Sequence, residues 1–125
     1  MPRDPEIRTK LLQSWKHGCV FCGYNKQDPI RNSSVLEGAH IRNFCDNQLN
    51  DSKENIILLC PNHHEEYDRG LIDFDTSGTI YCLDESDQLH LKNVNKYPSY
   101  VPPGIIREHN SKSYVGKKLI INKQK

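Results

Sequence analysis

The sequence predicts a small α+β fold that is stabilised by a bound metal. Three features predict this class: apolar residues at helical spacing near the N-terminus, short apolar segments of strand character, and paired cysteine and histidine residues. At 125 residues the chain can form one modest hydrophobic core. Because only 35% of its residues are hydrophobic and its mean hydropathy is −0.77, we expect a structural metal to supply part of its stability.

We expect residues 1–125 to form a single domain with three parts. Residues 1–17 would contain an N-terminal helix, residues 18–83 the core with its metal site, and residues 84–125 an irregular extension with a basic tail. No apolar run approaches the roughly 18 residues of a membrane span. The charged, proline-broken start is not a signal peptide. We therefore expect a cytoplasmic protein without membrane association.

The charge of the chain is weakly informative. The net charge is +1, which does not by itself indicate a nucleic-acid-binding protein. Both ends are basic, and the segment after residue 110 contains five lysines and no acidic residue. Such ends can bind phosphate groups, but an ordinary solvated surface explains them equally well.

The order of elements follows from local patterns. Residues 6–15 form a predicted helix because Ile7, Leu11 and Trp15 share one face; Asp4 is the expected N-cap. The remaining predicted elements are a polar loop at 24–34, a strand at 35–41, a loop at 42–53, a strand at 55–59, a helix at 61–69 ended by Gly70, a β-hairpin at 71–83, an extended proline-rich segment at 97–104, and a last helix at 105–114.

Four residues of metal-ligating type occur in two pairs with the same spacing. The pairs are Cys19 with Cys22 and Cys60 with His63. A two-residue gap lets a tight turn present both members of a pair to one ion, and three thiolates with one imidazole suit tetrahedral Zn²⁺ in a structural role. The alternative is a set of buried reduced cysteines and a surface histidine. Cys45 and Cys82 have no partner at ligand spacing, so we interpret them as ordinary thiols.

Three sequence blocks occur in an order that resembles a known family. They are Leu36-Glu-Gly-Ala-His-Ile41, Glu54-Asn-Ile-Ile-Leu-Leu-Cys60 and Pro61-Asn-His-His-Glu-Glu-Tyr-Asp-Arg-Gly70. Together they resemble the HNH (ββα-metal) endonucleases, in the branch where an Ala-His-Ile strand precedes a His-x-x-aromatic-Asp-x-Gly helix. The likeness covers residues 19–83, about half of the chain, and includes the predicted hairpin.

The resemblance implies metal-dependent hydrolysis of phosphodiester bonds in double-stranded DNA. It makes His40 the general base, a role that suits an imidazole because it titrates near working pH. It makes Asn55 the residue that orients this imidazole, and it gives the catalytic divalent ion to His64 and Asp68. These two residues are four positions apart and therefore share one helix face. Asn55 could instead be a turn residue before the strand, and Asp68 a surface acid.

The chain departs from the family pattern immediately before the catalytic histidine. Many members have a second metal ligand there, whereas this chain has Ala39. We therefore expect two protein ligands and several waters around the ion, a shell that suits Mg²⁺ or Mn²⁺. Strand alternation places Glu37 on the opposite side from His40, so we do not assign it to the metal site.

Other features leave alternatives open. The candidate phosphate contacts are Arg42, Lys53 and Arg69, although solvated surface charge explains each one taken alone. The rival interpretations of the chain are a non-catalytic zinc-stapled nucleic-acid-binding module and a catalytic subunit that needs a partner. The role could lie in restriction and defence, in a mobile element or phage, or in repair. Restriction-like defence is favoured by fold-level analogy only. A homodimer would favour cutting of both strands, and a monomer would nick.

Overall fold

The computed structural model describes residues 5–42, 52–113 and 115. This part of the chain contains three helices and three two-stranded antiparallel sheets. The helices are α1 (Pro5–Ser14), α2 (Pro61–Asp68) and α3 (Pro103–Lys112), and the strands are β1 (Gln27–Asp28), β2 (Ser33–Ser34), β3 (Glu37–His40), β4 (Ile56–Leu59), β5 (Ile72–Phe74) and β6 (Ile80–Cys82). The predicted Asp4 cap, Cys45 and most of the basic tail lie outside the described residues. The α+β class predicted from the sequence is confirmed.

Helix α1 closely matches the predicted helix at residues 6–15. Its apolar face is buried through Leu11 and Trp15. The indole N–H of Trp15 donates to the carbonyl of Gly18 at 2.7 Å, which fixes the chain where the helix has ended. The Arg8 guanidinium donates to the carbonyls of Ser34 and Leu36, so α1 is attached to the segment that leads into β3.

The centre of the molecule is a ββα unit built from β3, β4 and α2. Strand β3 pairs antiparallel with β4, with Glu37 opposite Leu59 and His40 opposite Ile56. All four residues of β4 are buried, as expected for a short strand covered on both faces. Helix α2 follows at once, with Cys60 as N-cap residue and Pro61 in its first turn, where proline costs no hydrogen bond.

The predicted hairpin is formed by β5 and β6. Its turn contains Gly78 at φ 86°, a left-handed conformation that favours glycine. The Asp75 carboxylate accepts hydrogen bonds from the backbone of Ser77 and Thr79 and from the Tyr81 hydroxyl. These contacts hold the turn closed without help from the metal sites.

Three local predictions were wrong in detail. The segment 24–34 is not entirely loop, because β1 and β2 pair within it. Asn55 lies in a 3₁₀ turn, Lys53–Asn55, immediately before β4. The proline-rich segment is not extended: Val101 N–H donates to the Pro98 carbonyl and the Val101 side chain is buried. Burial of apolar side chains therefore overrides the extended preference of the prolines, and α3 begins at Pro103, two residues before the predicted start.

One cluster of buried residues connects the elements. It extends from Leu11 on α1 through residues 19–21 and both central strands to Ile106 on α3. Residues beyond the hairpin therefore contribute to the same core as the ββα unit. Within the described residues, no helix is both long and apolar enough to cross a bilayer.

Candidate active site and metal centre

The first cysteine pair is presented by a tight turn between two glycines. The Cys19 N–H donates to the Tyr24 carbonyl at 3.0 Å, and the Gly23 N–H donates to the Cys19 carbonyl at 2.8 Å. Gly18 has φ +75°, and a Cβ added there would lie 2.4 Å from the Gly23 carbonyl oxygen. Only glycine fits this position, and its absence would open the turn. The Val20 N–H donates to the Leu58 carbonyl, so the turn is attached to β4.

The two predicted ligand pairs meet in one cluster. The ligand atoms of Cys19, Cys22, Cys60 and His63 all lie within 4.8 Å of one another. Cys60 Sγ is 3.2 Å and Cys19 Sγ 3.7 Å from His63 Nδ1, and the Sγ atoms of Cys22 and Cys60 are 3.9 Å apart. Zinc bonds of about 2.3 Å to sulfur and 2.0 Å to nitrogen require tetrahedral ligand separations of about 3.5–3.8 Å. The quartet therefore fits a tetrahedral metal ion such as zinc.

The thiols of this quartet sit in an environment that disfavours their anions. Burial raises the pKa of Cys19, Cys22 and Cys60 above the ordinary value of 9.0 in the metal-free fold. A cation must therefore displace protons to bind three thiolates, and metal binding is coupled to proton release. The other ring nitrogen of His63, Nε2, lies 3.8 Å from the Glu66 carboxylate.

His64, the next residue of α2, lies between two carboxylates. Its Nε2 lies 3.3 Å from Asp68 Oδ2, and its Nδ1 lies 2.7 Å from Glu37 Oε1. Two ligands about 2.1 Å from an octahedral ion and at right angles to each other are about 3.0 Å apart, so Nε2 and Oδ2 are spaced to share one divalent ion. Among the described residues, the cysteine-histidine quartet is the one group of three or more such ligands that could hold a metal ion.

His40 is the last residue of β3 and is half-buried. Its Nδ1 atom is buried. The preceding residue, Ala39, is fully buried in the core and offers no ligand. The side chains of Ala39 and His40 therefore lie on opposite faces of β3, as expected for consecutive strand residues.

Asn55 holds the backbone immediately after His40. Its side-chain oxygen accepts from the Arg42 N–H at 2.7 Å, and its side-chain amide donates to the Arg42 carbonyl at 2.9 Å. Its own carbonyl accepts from the Ile41 N–H at 2.9 Å. Because Asn55 is only 2% exposed, these bonds are shielded from water and fix the end of β3.

The sequence of this region matches a known family. A family model described as HNH endonuclease matches residues 19–75, which include the quartet, His40, Asn55, His64 and Asp68. Residues 19–75 form an HNH endonuclease domain. Among curated protein sequences, none matches this chain significantly.

A solved structure has the same fold over most of the chain. The structure titled "Modification dependent TagI restriction endonuclease" is similar with a TM-score of 0.70 and 23% sequence identity. The match covers 90% of this chain and 39% of that one, so the chain spans about two fifths of the length of that enzyme. The likeness extends beyond the HNH domain into the C-terminal part, which agrees with the shared core.

Two of the three candidate phosphate contacts in and around the HNH domain are paired with carboxylates. Arg42 Nε lies 2.5 Å from Glu108 Oε2 on α3, and Arg69 Nε lies 2.6 Å from Glu65 Oε1 on α2. Lys53 is exposed on the 3₁₀ turn before β4. A phosphate would therefore compete with a carboxylate of the same chain for either arginine.

Sequence reasoning missed the contact of Glu37 with α2. Strand alternation gives the face of β3 that Glu37 occupies, but not which element packs beside that residue. The structure places the Glu37 carboxylate against His64, 27 residues away. No local pattern in the sequence indicates this contact, because it depends on how α2 packs beside β3.

Proposed function

We propose that this chain is a metal-dependent endonuclease that hydrolyses phosphodiester bonds of double-stranded DNA. The observation that carries the proposal is the pair His64 Nε2 and Asp68 Oδ2, which are 3.3 Å apart. Both residues lie on α2, which directly follows the strand pair of β3 and β4, and His40 is the last residue of β3. A non-catalytic zinc-stapled module requires only the quartet. It gives no reason for a second pair of metal-ligating groups in the same domain.

In the proposed reaction His40 is the general base. Its Nε2 would accept the proton of the attacking water, since Nδ1 is buried. Asn55 would position the base by holding the backbone of Arg42, two residues after His40, from both its N–H and its carbonyl. A shift of about 1 Å in such a group is enough to reduce a rate strongly.

The two metal sites would have different roles. The quartet would hold Zn²⁺ and stabilise the fold, because all four positions are occupied by protein ligands. His64 and Asp68 would hold Mg²⁺ or Mn²⁺, with water and phosphate oxygens completing the shell. When bound there, the ion would neutralise charge on the phosphate and on the departing 3′ oxygen.

We further propose a restriction-like role in defence, which the fold shared with a modification-dependent restriction endonuclease supports. Action in the cytoplasm and assembly as a homodimer belong to the same proposal, because one active site per chain needs a second copy to cut both strands. A second candidate is a catalytic subunit whose recognition is supplied by another protein. It is favoured because the match covers only 39% of the chain of the similar restriction endonuclease.

The test is plasmid cleavage by the zinc-loaded full chain. The protein is freed of weakly bound ions in chelating resin, and Mg²⁺ or Mn²⁺ is then added back. His40→Ala is compared with His17→Ala, a matched control because His17 is exposed and packs its ring against Trp15 outside the HNH site. We expect cleavage that needs the added ion, survives His17→Ala and falls by about 10²–10⁴-fold in His40→Ala.

Each outcome separates the candidates. Linear product at early times would support the homodimer, and nicked circles a monomer. Equal cleavage by wild type and folded, zinc-loaded His40→Ala would overturn the assignment of the base. No cleavage of plasmid, single-stranded DNA or RNA with either ion would favour the binding module, and recovery of activity on adding a partner protein would favour the catalytic subunit.

A further inference from the structure

Glu37 begins strand β3, and its side chain reaches the metal-binding helix. Its Oε1 lies 2.7 Å from His64 Nδ1, whereas Asp68 Oδ2 lies 3.3 Å from Nε2 of the same ring. The His64 side chain is 19% exposed, and the Glu37 side chain is 49% exposed. One imidazole is thus placed between two carboxylates that approach its two nitrogens.

The two contacts of His64 differ in whether the ring nitrogen carries a hydrogen or a lone pair. An ionised carboxylate only accepts hydrogen bonds, so a bond of 2.7 Å to Glu37 requires the hydrogen on Nδ1. A neutral ring with its hydrogen on Nδ1 has its lone pair on Nε2. That lone pair then faces a carboxylate oxygen of Asp68, and two acceptors facing each other attract a cation.

We propose that Glu37 is the positioning residue of the catalytic metal site. It holds the hydrogen of His64 on Nδ1 and thereby directs the Nε2 lone pair, together with Asp68, toward the divalent ion. The inference rests on the proposed function for the presence of that ion. It goes beyond it by assigning Glu37 a role that acts through His64 and needs no contact with metal or DNA.

General chemistry of metal sites supports this role. A histidine ligand usually donates its second N–H to a carboxylate or carbonyl, which fixes the tautomer and the ring orientation and makes the ligand nitrogen more basic. The neighbouring zinc quartet has a similar arrangement, since the outer nitrogen of His63 lies 3.8 Å from Glu66. Glu66 is on the same helix as His63, whereas Glu37 comes from β3 and therefore connects the strand of the general base to the metal ligands.

The test reads the tautomer directly. Histidine is labelled with ¹⁵N in the zinc-loaded full chain without added divalent ion, and long-range ¹H–¹⁵N correlations are recorded at alkaline pH, where the rings are neutral. We expect His64 in wild type to carry its hydrogen on Nδ1. In Glu37→Ala, Asp68 is the one carboxylate of the described residues that still pairs with the ring, so we expect the hydrogen to move to Nε2.

Metal affinity provides a second readout. Mn²⁺ binding to the zinc-loaded protein is followed by the electron paramagnetic resonance signal of the free ion. We expect Glu37→Ala to weaken binding by about 10–100-fold. Glu37→Gln, which keeps an acceptor oxygen and loses the charge, should retain the Nδ1–H tautomer with a smaller loss. Glu65→Gln is the matched control, because Glu65 is an exposed acid on the same helix that pairs with Arg69.

The outcomes distinguish this proposal from the proposed function. An unchanged tautomer and unchanged Mn²⁺ affinity in Glu37→Ala would overturn the proposal even if the protein cleaves DNA. Loss of Mn²⁺ binding without a tautomer change would make Glu37 a direct ligand and also overturn it. A Glu37-dependent tautomer and Mn²⁺ affinity in a protein that cleaves no nucleic acid would leave the positioning role intact and reject the nuclease function.

Discussion

The ring of His109 on α3 stacks on the ring of Tyr67 on α2, with centroids 4.4 Å apart and planes inclined by 7°. Tyr67 immediately precedes Asp68, a proposed ligand of the catalytic ion. The same histidine contacts the Asp73 carboxylate on β5 through its Nδ1 at 3.0 Å. Helix α3, which lies beyond the residues matched to the HNH family, is therefore packed against α2, the helix of the proposed metal ligands. We propose that it belongs to the same folding unit.

The Asp73 carboxylate connects β5 to α3 and should stabilise the folded protein. This carboxylate is 2% exposed and accepts hydrogen bonds from His109, Asn110 and Ser113. We expect Asp73→Ala to lower the free energy of unfolding by about 3 kcal/mol, because it leaves the buried Ser113 hydroxyl and two half-buried donors of α3 without their acceptor. Urea denaturation measures the loss. Glu65→Ala, which removes an exposed surface pair, should cost less than about 1 kcal/mol; equal losses in the two variants would contradict the anchoring role.

Removal of one quartet ligand should release the structural metal. We expect wild type to retain one equivalent of zinc through gel filtration, and Cys60→Ser to retain far less and to unfold at lower temperature. A hydroxyl is a poor replacement for a thiolate as a zinc ligand, and zinc binding is part of the folding free energy. Elemental analysis and thermal unfolding check both effects. Cys82→Ala is the thiol control, since Cys82 lies outside the quartet; full zinc retention by Cys60→Ser would reject the site.

Asn55 should affect both the stability of the fold and the cleavage rate. Asn55→Ala removes both side-chain bonds to the Arg42 backbone and frees the end of β3 beside His40. We expect a stability loss of about 1–3 kcal/mol and a lower single-turnover cleavage rate at temperatures where the variant is fully folded. The rate is measured beside circular dichroism on the same samples. A variant that loses stability but cleaves like wild type would show that Asn55 has a structural role only.

Cys82 should make the fold sensitive to alkaline pH. Burial, and next the nearby carboxylates of Asp87, Glu66 and Asp84, raise the pKa of its thiol from 9.0 to about 12. Above pH 9 the unfolded thiol releases its proton while the folded thiol keeps it, so the free energy of unfolding falls as pH rises toward 12. The contribution is fully present below pH 9 and is lost through the folded pKa. We expect the melting temperature of wild type to fall more steeply between pH 9 and 11 than that of Cys82→Ala; parallel curves would exclude the effect.

Much of the candidate site could be predicted from short sequence intervals. Cys19 with Cys22, Cys60 with His63, and His64 with Asp68 are separated by three or four residues, so a single turn or one helix face brings each pair together. The strand before His40 and the hairpin after Gly70 follow from apolar runs bounded by turn residues. The family motif then supplied an expected order for these parts, and the structure has the same order.

The contacts that connect these parts depend on the tertiary structure. Glu37 reaches His64 over 27 positions, Arg42 reaches Glu108 over 66, and Ser113 reaches Asp73 over 40. Helical and strand periodicity describe which face a residue occupies but not which element packs against that face. The sequence by itself determined the pairs of candidate metal ligands and the ββα order, because those are set by local backbone geometry. Only tertiary packing decided that Glu37 contacts α2 and that α3 packs against α2, because the relative placement of elements is set by the shared core.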